Sequence, residues 1–97
     1  MAAAVDIGTL ITRSAEIRGG RPRIAGTGIT VRRIVGWYQM GESPDEIALD
    51  FPHLNLAQIY AALAYYHANR DEIDQDIAEE DAVADELERL HGLSPRS

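Results

Sequence analysis

The sequence predicts a mainly α-helical fold: a trihelical helix-turn-helix unit preceded by short β-strands and followed by an acidic helix. Three observations predict it. Between residues 30 and 69 the chain repeats helix-start and helix-stop residues at close spacing. Residues 10–29 hold short β-favouring runs broken by glycines. From Asp71 to Glu88, ten of eighteen residues are acidic and none is basic, with apolar residues at helical spacing.

The elements follow in chain order. Residues 1–9 carry no strong pattern and are expected to fray. Leu10, Ile11 and Thr12 favour strand, as does the Glu16-Ile17-Arg18 step. Gly19-Gly20 and Gly26-Thr27-Gly28 break the chain on either side of an extended piece from Arg21 to Ala25. Pro22 forces extension at Arg21 and lacks an amide donor, so this piece is expected at a sheet edge. The first helix is expected over 31–40, with Thr30 as N-cap, Ile34, Val35 and Tyr38 on one face, and Gly41 as the C′ glycine. The second begins at Ser43-Pro44-Asp45-Glu46: Ser caps, Pro fills the first helical position, and Glu46 closes a capping box. Phe51-Pro52 ends it. The third runs over 56–69 from an Asn55/Gln58 box, with Leu54 and Ile59 forming a hydrophobic staple. Ile59, Ala62, Leu63 and Tyr66 form its core stripe. The fourth spans 70–91 with Ile73, Ile77, Ala84 and Leu87 as a narrow apolar stripe that Glu80 interrupts. Alone, such a helix repels itself, so it is built to be completed by a partner. The tail from Gly92 is expected to be loose. The division is thus a core over 1–69 and an acidic helical extension over 70–97.

Ninety-seven residues, 45% hydrophobic, support one small core whose stability a second copy would raise. There is no cysteine, which excludes disulfides, thiolate zinc sites and a cysteine nucleophile. No run approaches the ~20 apolar residues of a membrane span, and the N-terminus lacks a signal-peptide pattern. A cytoplasmic location is the expectation. All nine basic residues are Arg, a fork suited to phosphate, carboxylate or guanine edges, although a GC-rich genome alone gives the same bias.

Charge divides the chain. Residues 1–41 hold six Arg against Asp6 and Glu16, a net of +4, and residues 42–97 hold fourteen acids against Arg70, Arg89 and Arg96, a net of −11. Such polarity draws different partners to the two ends. Three short helices with a tight middle one match a winged-helix/homeodomain-like helix-turn-helix, in which the third helix enters the major groove. Asn55, Gln58 and Ala61 would face bases, Arg32 and Arg33 would hold phosphates, and Arg21 and Arg23 from the hairpin edge would contact phosphate or the minor groove. The third helix itself has no Arg before Arg70, so the same pattern also describes a bundle that binds only protein.

Other chemistry is not assembled. GGRPRIAGTG lacks the order of a phosphate-cradling loop, and its glycines are better explained by turns needing positive φ. His53, His67 and His91 fit no zinc spacing; a His67–Asp71 ion pair outranks a shared metal there. No nucleophile, base or metal set can be formed, so the chain is not expected to be an enzyme and no cofactor is expected.

The run GGRPRIAGTGITVRRIVGWYQMGESPDEIALDFPHLNLAQIYAALAYY resembles the domain-of-unknown-function 433 family over about residues 16–67. The family pattern joins a glycine-basic-proline step, an apolar residue, a Gly-Thr-Arg-apolar-Pro-Val segment, a glycine-ended helix, a Ser/Thr-Pro-Glu-Glu-Ile helix, a Tyr/Phe-Pro-x-Leu turn and an Ala-Leu-x-Tyr helix. Here Gly28 replaces the Arg of that segment and Thr30 its Pro. The resemblance implies a helix-turn-helix fold and the role of a VapB-like antitoxin. Such a protein neutralises a PIN-like ribonuclease toxin, represses its own promoter by binding operator DNA, and works as a homodimer. The toxin would dock on Ile73, Ile77, Glu80, Ala84 and Leu87, because an RNA-holding face is basic. An interaction or dimerisation module that never touches DNA is the alternative.

Overall fold

The computed structural model describes residues 4–90. His91 and the tail from Gly92 lie outside that range, as do residues 1–3 of the segment expected to fray. Two strands and four helices follow in order: β1 (Ile11–Thr12), β2 (Arg23–Ile24), α1 (Val31–Gln39), α2 (Pro44–Asp50), α3 (Leu56–Ala68) and α4 (Arg70–Leu90). The strands pair antiparallel, Ile11 opposite Ile24 and Thr12 opposite Arg23. An isolated bridge joins Arg23 to Thr30, so the hairpin leads directly into α1.

Local chemistry accounts for each helix start. The Thr30 hydroxyl accepts from the Arg33 amide at 3.3 Å. Both reciprocal boxes form: Ser43 with Glu46 at 3.2 and 2.8 Å, and Asn55 with Gln58 at 2.9 and 2.7 Å. Each box satisfies two amides that the first helical turn leaves without partners. Gly41 follows α1 at φ +98°, a conformation open to glycine. The Glu16-Ile17-Arg18 step departs from expectation. It is a turn closed by a Ser14–Ile17 bridge, and Arg18, Gly19 and Gly20 all adopt positive φ (53°, 65° and 80°). Three left-handed residues in succession cannot continue a strand.

The core is one cluster of Ile24, Val31, Ile34, Val35, Ile47, Leu54, Ile59, Ala62, Leu63, Tyr66 and Ile73. α1 and α2 pack on α3, and α4 returns across α1. Ile73 is fully buried, and Ile77 packs against the same cluster. The start of the acidic segment is therefore part of the core. From Ala78 to Leu87 every residue is exposed, so the second half of α4 projects as a free arm. β2 is an edge strand of the two-stranded sheet, as Pro22 before it implies, while Pro22 itself is buried and its carbonyl accepts from the Val31 amide at 3.0 Å. Among the described residues, no helix is long and apolar enough to cross a membrane.

Candidate functional site

The two oppositely charged parts of the chain meet along one face of α4. Glu72 lies 2.6 Å from Arg13. Asp76 and Glu79 lie 3.5 and 3.9 Å from Arg21, and Glu80 lies 3.5 Å from Arg32. Position 76 follows 72 by four, and 79 and 80 follow 76 by three and four, so they line one stripe. Ile73 and Ile77, one position further round, hold that stripe against the body. Tyr65 ties its first rung: Arg13 donates to the phenol oxygen at 2.5 Å, and the phenol donates to Glu72 at 2.9 Å. Burial first, then that bond to Glu72, lifts the Tyr65 phenol above its ordinary range, and the bond to Glu72 lifts the Arg13 guanidinium.

This arrangement corrects several expectations for the arginines. Arg21 and Arg32 are engaged by α4 rather than displayed to a duplex. Arg23 is only 8% exposed; it donates to the Ser14 hydroxyl at 3.2 Å, and its Nε and Nη1 have no partner. A guanidinium so buried does not reach a phosphate. Arg33 is exposed and stacks over the Phe51 ring at 5.2 Å. Arg18 was not singled out by the sequence pattern. Its strained backbone (φ 53°) sets its Nε against the Gly28 carbonyl at 3.0 Å. At the position where the family pattern carries Arg, Gly28 leaves room for a guanidinium arriving from Arg18; a Cβ at 28 would lie 3.3 Å from it. Among the described residues, Arg18 and Arg33 have no carboxylate in ion-pair range. Together with Arg32, Gly36, Trp37 and Met40 they line an open groove of about 440 Å³ beside the start of α1.

The expected base-reading residues are placed differently. Ala61 is 4% exposed and belongs to the interior. The Asn55 and Gln58 side chains are spent on each other's backbone amides. The solvent face of α3 is instead Leu56, Ala57, Tyr60 and Ala64, with no charge. A 3.6-residue period allowed Ala61 to be put on either side of the helix; only the packing of α1 and α2 decides it.

The expected docking stripe divides in two. Ile73 and Ile77 are core residues, and Glu80 already faces Arg32. Ala84 and Leu87 are exposed, Leu87 at 51%. Val83 and Leu90, 58% and 69% exposed, complete a free stripe with Leu87 at i, i+4, i+7. Asp81, Asp85 and Glu88 lie around it. No group of three His, Asp or Glu side chains among the described residues could hold a metal. His67 meets the Tyr38 and Tyr66 rings at 6.0 and 5.2 Å, in place of the expected ion pair with Asp71.

A family described as "Protein of unknown function (DUF433)" matches residues 11–66, more than half of the chain. The match ends at Tyr66 inside α3, so α4 lies beyond it. The structure is similar to that of a DUF433 member protein from Anabaena variabilis ATCC 29413, with 33% identity and a TM-score of 0.68, over 72% of this chain and 69% of that one. No curated protein matches the chain.

Proposed function

We propose that this chain, which belongs to the DUF433 family, is a protein-docking module acting as the antitoxin of a type II pair, whose α4 arm covers the basic face of a ribonuclease toxin. The observation that carries this reading is the arm itself. Residues 78–87 are all exposed, with Glu79 and Glu80 alone among them in ion-pair range of the body, and they present an apolar stripe set among acids. An isolated helix of that composition is marginal in water, and a cationic groove supplies both the burial and the countercharge it lacks. The helix-in-groove mode reads such a stripe through i, i+4, i+7 anchors, here Val83, Leu87 and Leu90. An acidic arm on the substrate face also competes directly with RNA phosphates.

Promoter repression is a separate part of the proposal, and α2 and α3 stand in it as the helix-turn-helix pair. Its phosphate contacts now rest on Arg18 and Arg33, the exposed cations beside the start of α1. A second reading, an interaction module that binds no DNA, is favoured by one observation: α4 engages Arg21 and Arg32 internally.

The test is co-expression with the product of the adjoining reading frame. The full chain restores growth, and a chain ending at residue 78 does not. Rescue by that shortened chain refutes the docking arm. Gel shift of the upstream DNA at two salt concentrations separates the two readings. Salt-sensitive retardation that Arg18→Ala and Arg33→Ala weaken supports repression. No retardation at low salt, with or without the partner, leaves the interaction module.

A further inference from the structure

We infer that the groove beside the start of α1 is a binding site for a phosphate monoester that carries a planar ring, such as a nucleoside monophosphate. The chain carries a net −7, so an anion is repelled from most of its surface. This groove is the exception, because Arg18, Arg32 and Arg33 all line it. Among the described residues, neither Arg18 nor Arg33 has a carboxylate in ion-pair range. Arg32 has Glu80 at 3.5 Å, longer than the ~2.7–2.9 Å of a tight charged bond. The Glu80 side chain is 58% exposed and borders the groove. A carboxylate of the chain thus stands loosely at one corner, where an incoming anion competes for Arg32.

Backbone geometry delivers one of these cations. Arg18 is the one non-glycine residue at positive φ among the described residues, a conformation that side chains rarely adopt. Held there, its Nε donates to the Gly28 carbonyl at 3.0 Å, and its terminal nitrogens have no hydrogen-bond partner among the described residues. Arg33 lies over the Phe51 ring, a stacking that holds a guanidinium without using its N–H donors. Several N–H forks suit the oxygens of one phosphate. The glycine-rich run contributes the turn that carries Arg18, not a cradle of amides. The rest of the groove is apolar, formed by half-buried Trp37 and by Met40. Gly36 keeps it open, since a Cβ there meets nothing within 4 Å. A planar ring seated in that space lies against the indole. The volume of about 440 Å³ falls within the ~300–1,000 Å³ of small-molecule sites. A duplex offers phosphates but no free ring, so the indole wall singles out a small ligand.

The site is independent of the docking arm. It takes Arg18 and Arg33, which promoter repression would also use, so ligand and operator exclude each other and the test is run without DNA. Trp37 is the one tryptophan of the chain, and its fluorescence reports on the groove directly. The full chain is titrated with AMP, inorganic phosphate and adenosine, by fluorescence and by calorimetry. AMP is expected to change the emission and to saturate below about 1 mM, with phosphate and adenosine each at least ~tenfold weaker. Arg18→Gly keeps the left-handed backbone and removes the guanidinium. Arg18→Gly and Arg33→Ala are each expected to lower AMP affinity roughly tenfold or more, with an unchanged circular dichroism spectrum. Gly36→Leu fills the groove and is expected to abolish binding. If one variant fails to fold, the others carry the test. Arg89→Ala removes the same charge outside the groove and is expected to bind AMP like the wild type. The inference is overturned by no AMP binding in either method, by phosphate bound as tightly as AMP, or by folded Arg18→Gly and Arg33→Ala chains that bind like the wild type. None of these results moves the gel shift, so repression stands or falls separately.

Discussion

Gly36 is the residue whose presence the fold explains least and the groove explains best. It sits in the middle of α1, where glycine is less favourable than alanine by roughly 0.5–1 kcal/mol. A Cβ built on it meets nothing within 4 Å. Gly36→Ala is therefore expected to raise stability by about that amount in urea unfolding. A fall instead would show a contact that the open groove does not provide. Glu42 is a second residue held against its preference. Its Oε1 is buried without a partner, and desolvation, then contact with Asp50, pushes its carboxyl above the ordinary 4.5. A raised carboxyl pKa favours the folded state only at low pH, and that contribution is lost as pH rises through the folded value. Glu42→Gln is thus expected to raise the Tm at pH ~7, with the gain vanishing near pH ~3.5. An equal gain at both values would contradict this assignment. Arg18 shows that a guanidinium can be delivered from ten residues upstream to the place where the family pattern carries Arg.

At the scale of the elements, the caps were legible because they are local. Thr30, Ser43 with Glu46, and Asn55 with Gln58 act within three residues, so spacing alone reveals them. The partners of α4 were not legible. Arg13 and Glu72 are 59 positions apart, and no local rule links them. A helical stripe such as Ile73, Ile77, Ala84, Leu87 announces an apolar face without saying whether the chain itself or another molecule covers it. Here the chain covers the first half and leaves the second open, so the boundary between body and arm falls near Ile77 rather than at residue 70. Two truncations check this. A chain ending at residue 78 is expected to unfold cooperatively near the full-length Tm. One ending at residue 69 also loses fully buried Ile73 and the countercharges Glu72 of Arg13 and Asp76 of Arg21, which the longer chain keeps. Removing a buried isoleucine alone costs about 2–5 kcal/mol, a large share of a small domain's stability. Equal stability of the two truncations would place α4 outside the core.

The whole molecule has a body and an arm. Its extents are 59 × 29 × 22 Å, and its radius of gyration of 15.2 Å exceeds the ~13 Å of a compact chain of about 100 residues. Residues 78–90 contribute roughly 20 Å of helix to the long dimension. The charge polarity visible along the chain is partly internal in the fold: four acids of α4 meet three arginines, while Asp81, Asp85 and Glu88 remain on the arm. That reverses the simplest inference from composition, since the basic end is the less available of the two. As a proposed surface for a cationic protein, the arm must bind through its apolar anchors. Isothermal titration of the adjoining frame's product with full-length chain and with Leu87→Asp tests it most directly. An anchor at the centre of such a contact contributes about 2 kcal/mol or more, so affinity is expected to fall roughly thirtyfold or further, with the fold unchanged. Equal affinity of the folded variant and the wild type would contradict it.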